Sequence, residues 1–185
     1  MMKPLSEQEL LRGALAGEMA ALEAIYDRYS PGIYRYAVRL LGDESLAEDC
    51  VSETFARLLK ALRAGAGPLE HLQAYLYRIA HNWITDRYRR QPLPPLDLDE
   101  SIPSEAGARP DFQAEVRLEQ QAVRQALRSL TPDQRQVVAL RYLEGWENEQ
   151  VAAALQKPVG TVRVLHHRAV QALRRLLQMA EREML

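Results

Sequence analysis

One stretch governs what this chain can fold into. From Gln91 to Pro110 it reads QPLPPLDLDESIPSEAGARP and holds five of the ten prolines. Proline lacks an amide donor and pushes the residue before it out of the helical region, so no helix runs through this stretch. On either side, apolar residues recur at helical spacing and strand signals are few. The pattern describes two helical units on a tether: residues 1–91, an acidic, proline-rich linker over 92–113, and residues 114–185. The expected fold class is all-α, with a four-helix first domain and a helix-turn-helix second domain. A unit of about 70–80 residues buries a modest fraction of its surface, so each core is expected to be small.

Capping signals punctuate the helices. Ser6 and Glu9 form a capping box that opens a helix through about Ala16. A second helix runs from Ala20 to Leu41 and stops at Gly42. Ser45 and Glu48 suggest a further box opening a third helix that ends near Leu62. The segment RAGAGPL (63–69) is a glycine-rich loop, and a fourth helix follows to Arg90. Leu72, Leu76, Ile79 and Trp83 make its buried stripe. Beyond the linker a helix spans about Ala114 to Ser129. Thr131 with Pro132 and Gln134 caps the next, which ends at Gly145. A short helix from Asn148 to Leu155, with Asn148 able to serve as its cap, precedes a final one from Val159 to about Met179.

The formal net charge is −1, but it is segregated. Residues 1–91 are neutral, 92–115 carry a net −5 and 116–185 a net +4. From Lys157 to Arg175 there are five Lys or Arg and no Asp or Glu. Such a stretch is either a solvated basic face or a polyanion-binding surface. Its setting favours the second. A short alanine-rich helix, a tight turn and a longer basic helix make a helix-turn-helix. Val151, Leu155, Val162, Leu165, Ala169 and Leu173 can bury the shared core. Gly160, Arg163, Val164, His167, Gln171 and Arg174 are left on the outer face from the helix N-terminus onward, the part that enters a major groove. Arg163 suits a bidentate contact to guanine, and His167 can donate to a base. Lys157, Thr161 and Arg168 are placed for phosphates.

Two further faces stand out. On the third helix Asp49, Ser52, Glu53 and Arg57 lie opposite Cys50, Phe55, Leu58 and Leu59. On the fourth, Tyr75, Arg78, Asn82, Thr85 and Arg89 form a polar, aromatic stripe flanked by Tyr77, His81 and Tyr88. Rings and guanidinium groups together suit unpaired bases and a phosphate backbone.

Other classes find little support. One cysteine, Cys50, allows no internal disulfide and fits a reducing compartment. His166 and His167 are adjacent and project about 100° apart, which makes them poor joint ligands; with His71 and His81 they suggest no metal site. No nucleophile elbow, phosphate loop or His-Glu metal helix occurs, so neither an enzyme nor a cofactor or small-molecule substrate is expected. The N-terminus lacks the apolar core of a signal peptide and no run approaches a membrane span. The reading is a soluble cytoplasmic protein without membrane insertion and without a large C-terminal extension.

Three segments, in order, resemble the ECF (extracytoplasmic function) sigma factors of bacterial RNA polymerase. AEDCVSETFARLLKAL (47–62) is similar to the helix that docks on the polymerase's largest subunit. LQAYLYRIAHNWITDRYRR (72–90) is similar to the helix that reads the minus-ten promoter element. LRSLTPDQRQVVALRYLEGWENEQVAAALQKPVGTVRVLHHRAVQALRRLL (127–177) is similar to the module that reads the minus-thirty-five element. The resemblance implies polymerase docking by Asp49, Ser52, Glu53 and Arg57, although the family usually has glutamine at Ser52. It implies minus-ten recognition by Tyr75, Arg78, Asn82, Thr85 and Arg89, with the loop at Gly65 to Glu70 holding a flipped base. It implies minus-thirty-five recognition by Lys157, Gly160, Thr161, Arg163, Val164, His167, Arg168 and Gln171. Leu165 and His166 depart from the family, which commonly has arginine and leucine there. The implied partners are core RNA polymerase, promoter DNA and an inhibitory anti-sigma factor. A linker of roughly 20 residues spans about 65 Å when extended, enough for promoter elements about 50 Å apart. A stand-alone helix-turn-helix regulator, which has no need of the faces on 47–62 and 72–90, and an interaction module that has lost DNA binding are the competing readings.

Overall fold

The computed structural model describes residues 5–90 and 120–183, with side chains as far as Leu176. The linker over 92–113 and the start of the helix placed at Ala114 lie outside the described residues. Among the described residues every regular element is helical: α1 (Glu7–Leu15), α2 (Met19–Leu41), α3 (Glu44–Arg63), α4 (Leu72–Arg90), α5 (120–128), α6 (Pro132–Val138), α7 (Asn148–Leu155) and α8 (Val159–Glu183).

The first four helices begin and end where local chemistry tells them to, with two exceptions. Ser6 and Glu9 form the expected reciprocal cap on α1. Gly13 in α1 lets that helix approach α2 closely, since a Cβ there would lie 2.7 Å from the Ala21 Cβ. Gly42, left-handed at φ 72°, ends α2. The cap of α3 is Asp43, whose carboxylate accepts from the Leu46 amide at 2.8 Å. Ser45 therefore sits inside α3 rather than capping it: Asp43 is the extended residue that precedes the helix, and α3 begins at Glu44. The start of α4 has a remote cap. Glu7 of α1 accepts from the amides of Leu72 at 3.0 Å and Gln73 at 3.4 Å, and from the Tyr29 hydroxyl at 3.0 Å. A carboxylate at a helix N-terminus satisfies orphan donors and complements the dipole there.

α2, α3 and α4 enclose the core of this half. Ile25, Ile33, Leu40, Leu58, Leu72, Leu76 and Ile84 are buried, each contributing about 1.5–3 kcal/mol. That burial holds α2 helical through Pro31, which alone would cost a free helix about 3 kcal/mol. Trp83 is half-buried against the same core. The Cys50 thiol lies inside it, 3.8 Å from the Ala80 carbonyl, and burial pushes its pKa up to about 12.

In the second half Thr131 caps α6 with Gln134, and Pro132 takes the first position. The helix then widens into a π-helical turn, Ala139–Leu143, which ends on Gly145 at φ 69°. The cap of α7 is Glu147, whose amide donates to Gln150 Oε1 at 2.9 Å. Asn148 is the first helical residue, not the cap. α7 closes in a Schellman motif, with Gln156 N–H on Ala153 O at 3.3 Å and Lys157 N–H on Ala152 O at 3.1 Å. Gln156 takes the left-handed position at φ 54°.

The two halves are packed together. α7 lies against α4, and buried residues of both halves form one continuous cluster. Trp146, delivered by the π-helical turn, sits 4.9 Å from the ring of Tyr77.

Candidate nucleic-acid interface

α8 separates its residues cleanly. Val162 and Ala169 are buried, and Leu165 and Leu173 are half-buried against the core. Gly160, Thr161, Arg163, Val164, His167, Arg168, Gln171 and Arg174 are all exposed. Val164, 49% exposed, puts an apolar side chain beside the Arg163 guanidinium, and apolar groups on such a face suit the thymine methyl. Lys157 is partly exposed and pairs with Asp133 at 3.2 Å, tying the turn to α6. His166 is not on the open face. Its Nε2 lies 3.1 Å from the Tyr142 hydroxyl, and the two rings stack at 5.6 Å. Burial, then Arg141, lowers the His166 pKa.

The polar face of α3 is intact. Asp49, Ser52 and Arg57 are exposed and Glu53 is half-buried, with Arg57 donating to Glu53 at 2.7 Å. Beside it runs a groove between α2 and α3 lined by Tyr26, Pro31, Tyr34, Val51 and Ser52. Tyr26, exposed and 4.8 Å from the Phe55 ring, was not singled out from sequence. A tyrosine on a long amphipathic helix looks like core until its neighbours are known.

On α4, Asn82 and Arg89 are exposed and Tyr75 and Arg78 are half-buried, with the Arg78 guanidinium 5.1 Å over the Tyr75 ring. Thr85 and the three flanking rings are placed differently. Thr85 Oγ1 accepts from Arg135 at 3.0 Å. Tyr77 and His81 are buried, 2% and 1% exposed. His81 Nε2 donates to the Pro132 carbonyl at 3.0 Å, which fixes Nδ1 as the acceptor for the Tyr36 hydroxyl at 2.8 Å. Burial, then Arg135, lowers the His81 pKa to about 3. Tyr88 is half-buried, its ring covered by the guanidinium groups of Arg128 at 4.2 Å and Arg135 at 4.6 Å. Alternation along α4 alone could not reveal this, because the covering groups come from the other half of the chain. Among the described residues no cluster of His, Cys, Asp and Glu could hold a metal, and no helix is long and apolar enough to cross a membrane.

Family models match both halves: Sigma-70 region 2 over residues 25–92 and Sigma-70, region 4 over residues 120–173. The class is thus a two-region sigma-70 protein, with α3 and α4 in the first region and the helix-turn-helix in the second. The ECF RNA polymerase sigma factor SigL of Mycobacterium tuberculosis is 34% identical over 174 residues, covering 90% of this chain and 94% of the relative. The ECF RNA polymerase sigma factor BldN of Streptomyces coelicolor is 33% identical over 171 residues, 91% of this chain but 65% of the longer relative. The chain belongs to the ECF RNA polymerase sigma factors. Its fold is also that of CnrH, solved in complex with the cytosolic domain of CnrY, at a TM-score of 0.67 and 24% identity over 94% of this chain and 97% of that one. The region 2 match sets aside a stand-alone helix-turn-helix regulator, which has no use for α3 and α4.

Proposed function

We propose that this chain recruits core RNA polymerase to promoters and helps open them, without chemistry of its own, in the cytoplasm. The exposed outer face of α8, free of carboxylates from Lys157 to Arg175, carries the reading. A helix presenting Arg163, Val164, His167 and Gln171 to solvent suits a major groove, here that of the minus-thirty-five element. Gly160 lies at the N-terminal start of this face, and Lys157, Thr161 and Arg168 flank it and hold the phosphate backbone.

Asp49, Ser52, Glu53 and Arg57 are the docking residues for polymerase, extended by the groove at Tyr26 and Tyr34. Tyr75, Arg78, Asn82, Thr85 and Arg89 serve the minus-ten strand. This divides the chain into 1–91 for docking and melting, the linker 92–113, and 114–185 for the upstream element. Solved relatives support an anti-sigma factor as a further partner: a sigma factor RpoE from Bartonella quintana was solved with the anti-sigma factor NepR. Run-off transcription with core polymerase on genomic fragments tests the function. Defined transcripts that need the added chain are expected; absence of both transcripts and co-purification with core polymerase overturns it.

A further inference from the structure

Tyr142 and His166 form a polar pair outside the base-reading stripe of α8. Tyr142 lies in the π-helical turn Ala139–Leu143 and is 62% exposed. Its ring stacks on the His166 ring at 5.6 Å, and its hydroxyl lies 3.1 Å from His166 Nε2.

The place of this pair on the helix gives it a ligand. At about 100° per residue, Arg163, His167 and Gln171 run in one stripe along α8. Thr161 and Arg168 lie about 100–120° to one side of that stripe, and His166 lies about 100° to the other. A helix with its side chains is about 10–12 Å across and fills a major groove about 12 Å wide. Both flanks of a helix in the groove therefore face a row of phosphates, and Tyr142 and His166 occupy the flank opposite Thr161 and Arg168.

The chemistry of the pair suits that position. With His166 neutral and its hydrogen on Nδ1, Nε2 accepts the phenol hydrogen. With both ring nitrogens protonated, Nε2 donates to the phenol oxygen and the phenol hydrogen is released to a further acceptor. That state carries a positive charge, and a phosphate oxygen supplies both the acceptor and the anion. In the free chain burial, then Arg141 of the same turn and His167 of α8, hold the His166 pKa down. The Tyr142 phenol is the titratable group stacked on the ring.

We propose that Tyr142 and His166 bind a phosphate of duplex DNA on the flank of α8 opposite Thr161 and Arg168, and that His166 takes up a proton as they do so. The proposal rests on α8 as the duplex-reading helix. Because bound DNA favours the protonated ring, linkage makes duplex affinity rise as pH falls from neutrality.

The test uses the full chain. Tyr142→Phe keeps the ring and removes the donor. His166→Gln keeps a polar side chain and removes the charge; it is made in a His167→Gln background, where His166 is the one imidazole on α8. The probe is a labelled duplex of random sequence, because phosphate contacts carry no sequence information. Titrations are run at a temperature where circular dichroism shows every variant folded. Near about pH 6, Tyr142→Phe is expected to lose about tenfold in affinity. The His167→Gln chain is expected to gain about threefold in affinity between about pH 8 and about pH 6, and His166→Gln to abolish that gain. His166→Gln is also expected to reduce the salt slope by up to about one at the lower pH and to leave it unchanged at the higher. Unchanged affinity in Tyr142→Phe, or a His166→Gln chain whose pH dependence and salt slope match its background, overturns the proposal and leaves α8 as the duplex-reading helix. Failure of the unaltered chain to bind the duplex in a salt-dependent way removes that role of α8, and the proposal falls with it.

Discussion

Tyr77 in α4 donates its hydroxyl hydrogen to Glu144, 67 residues further along the chain and 2.7 Å away. Burial and then the carboxylate itself push the Tyr77 pKa up, so the hydroxyl stays a donor at every working pH. The contact also needs Gly32 of α2, because a Cβ there would lie 2.7 Å from the Tyr77 oxygen. One glycine, one tyrosine and one glutamate thus form this contact between the two halves.

Tyr77→Phe and Glu144→Ala, singly and together, are expected to show a coupling of about 1–2 kcal/mol in a double-mutant cycle. Urea denaturation measures it. A coupling near zero means the bond contributes nothing in solution. Gly32→Ala should weaken the contact between the halves as well, although alanine favours the helix by about 1 kcal/mol.

His81 makes stability depend on pH. It is neutral when folded, with its pKa lowered to about 3, while the unfolded side chain titrates near its model value of 6.5. The unfolded state binds the extra proton between those values. Stability from this group is therefore complete above about pH 6.5 and is lost as pH falls toward 3, with a limiting slope of about 1.4 kcal/mol per unit. The groups facing it are the Tyr36 hydroxyl, the Arg135 guanidinium and the Pro132 carbonyl. Carboxylates titrate in the lower part of this window, so the comparison is with His81→Asn, whose stability curve should be flatter by that slope. Parallel curves would show that His81 titrates normally.

Asp49→Arg with Glu53→Arg is expected to abolish co-purification with core polymerase and leave the thermal midpoint within a few degrees. Neither side chain is fully buried, and surface changes are usually within about 0.5 kcal/mol. Retained transcription by this variant assigns docking to another face.

Arg163→Ala is expected to cost about 1–3 kcal/mol in affinity for the preferred duplex and to relax the base preference at one position. Arg168→Ala should instead weaken all duplexes alike and reduce the salt slope by about one. Binding titrations at several salt concentrations, on a randomised duplex pool, separate the two. Identical behaviour of the two variants would remove the distinction between base and phosphate roles.

Much of this architecture is legible in the residue order because its determinants are local. Ser6, Thr131, Gly42 and Gly145 act within a few residues of themselves, and the outer face of α8 follows from helical spacing. Ser45 misled because Asp43 stands two residues earlier and both are good caps; the extended backbone at Asp43 decides between them. The cap of α4 by Glu7 was hidden by its distance in sequence, as were the partners of Thr85, Tyr88 and Arg135. Tyr77 and His81 read as surface aromatics because a polar, aromatic flank looks the same whether bases or another half of the chain will cover it. The π-helical turn at Ala139–Leu143 has no signature that spacing alone exposes.

Cys50 is the sole sulfhydryl of the chain and is enclosed between α3 and α4. A thiol held protonated and out of reach of peroxide does not respond to oxidants while the fold is intact. Should transcription driven by this chain ever follow the redox state of the cell, Cys50 is not the receptor for that signal while this fold is intact.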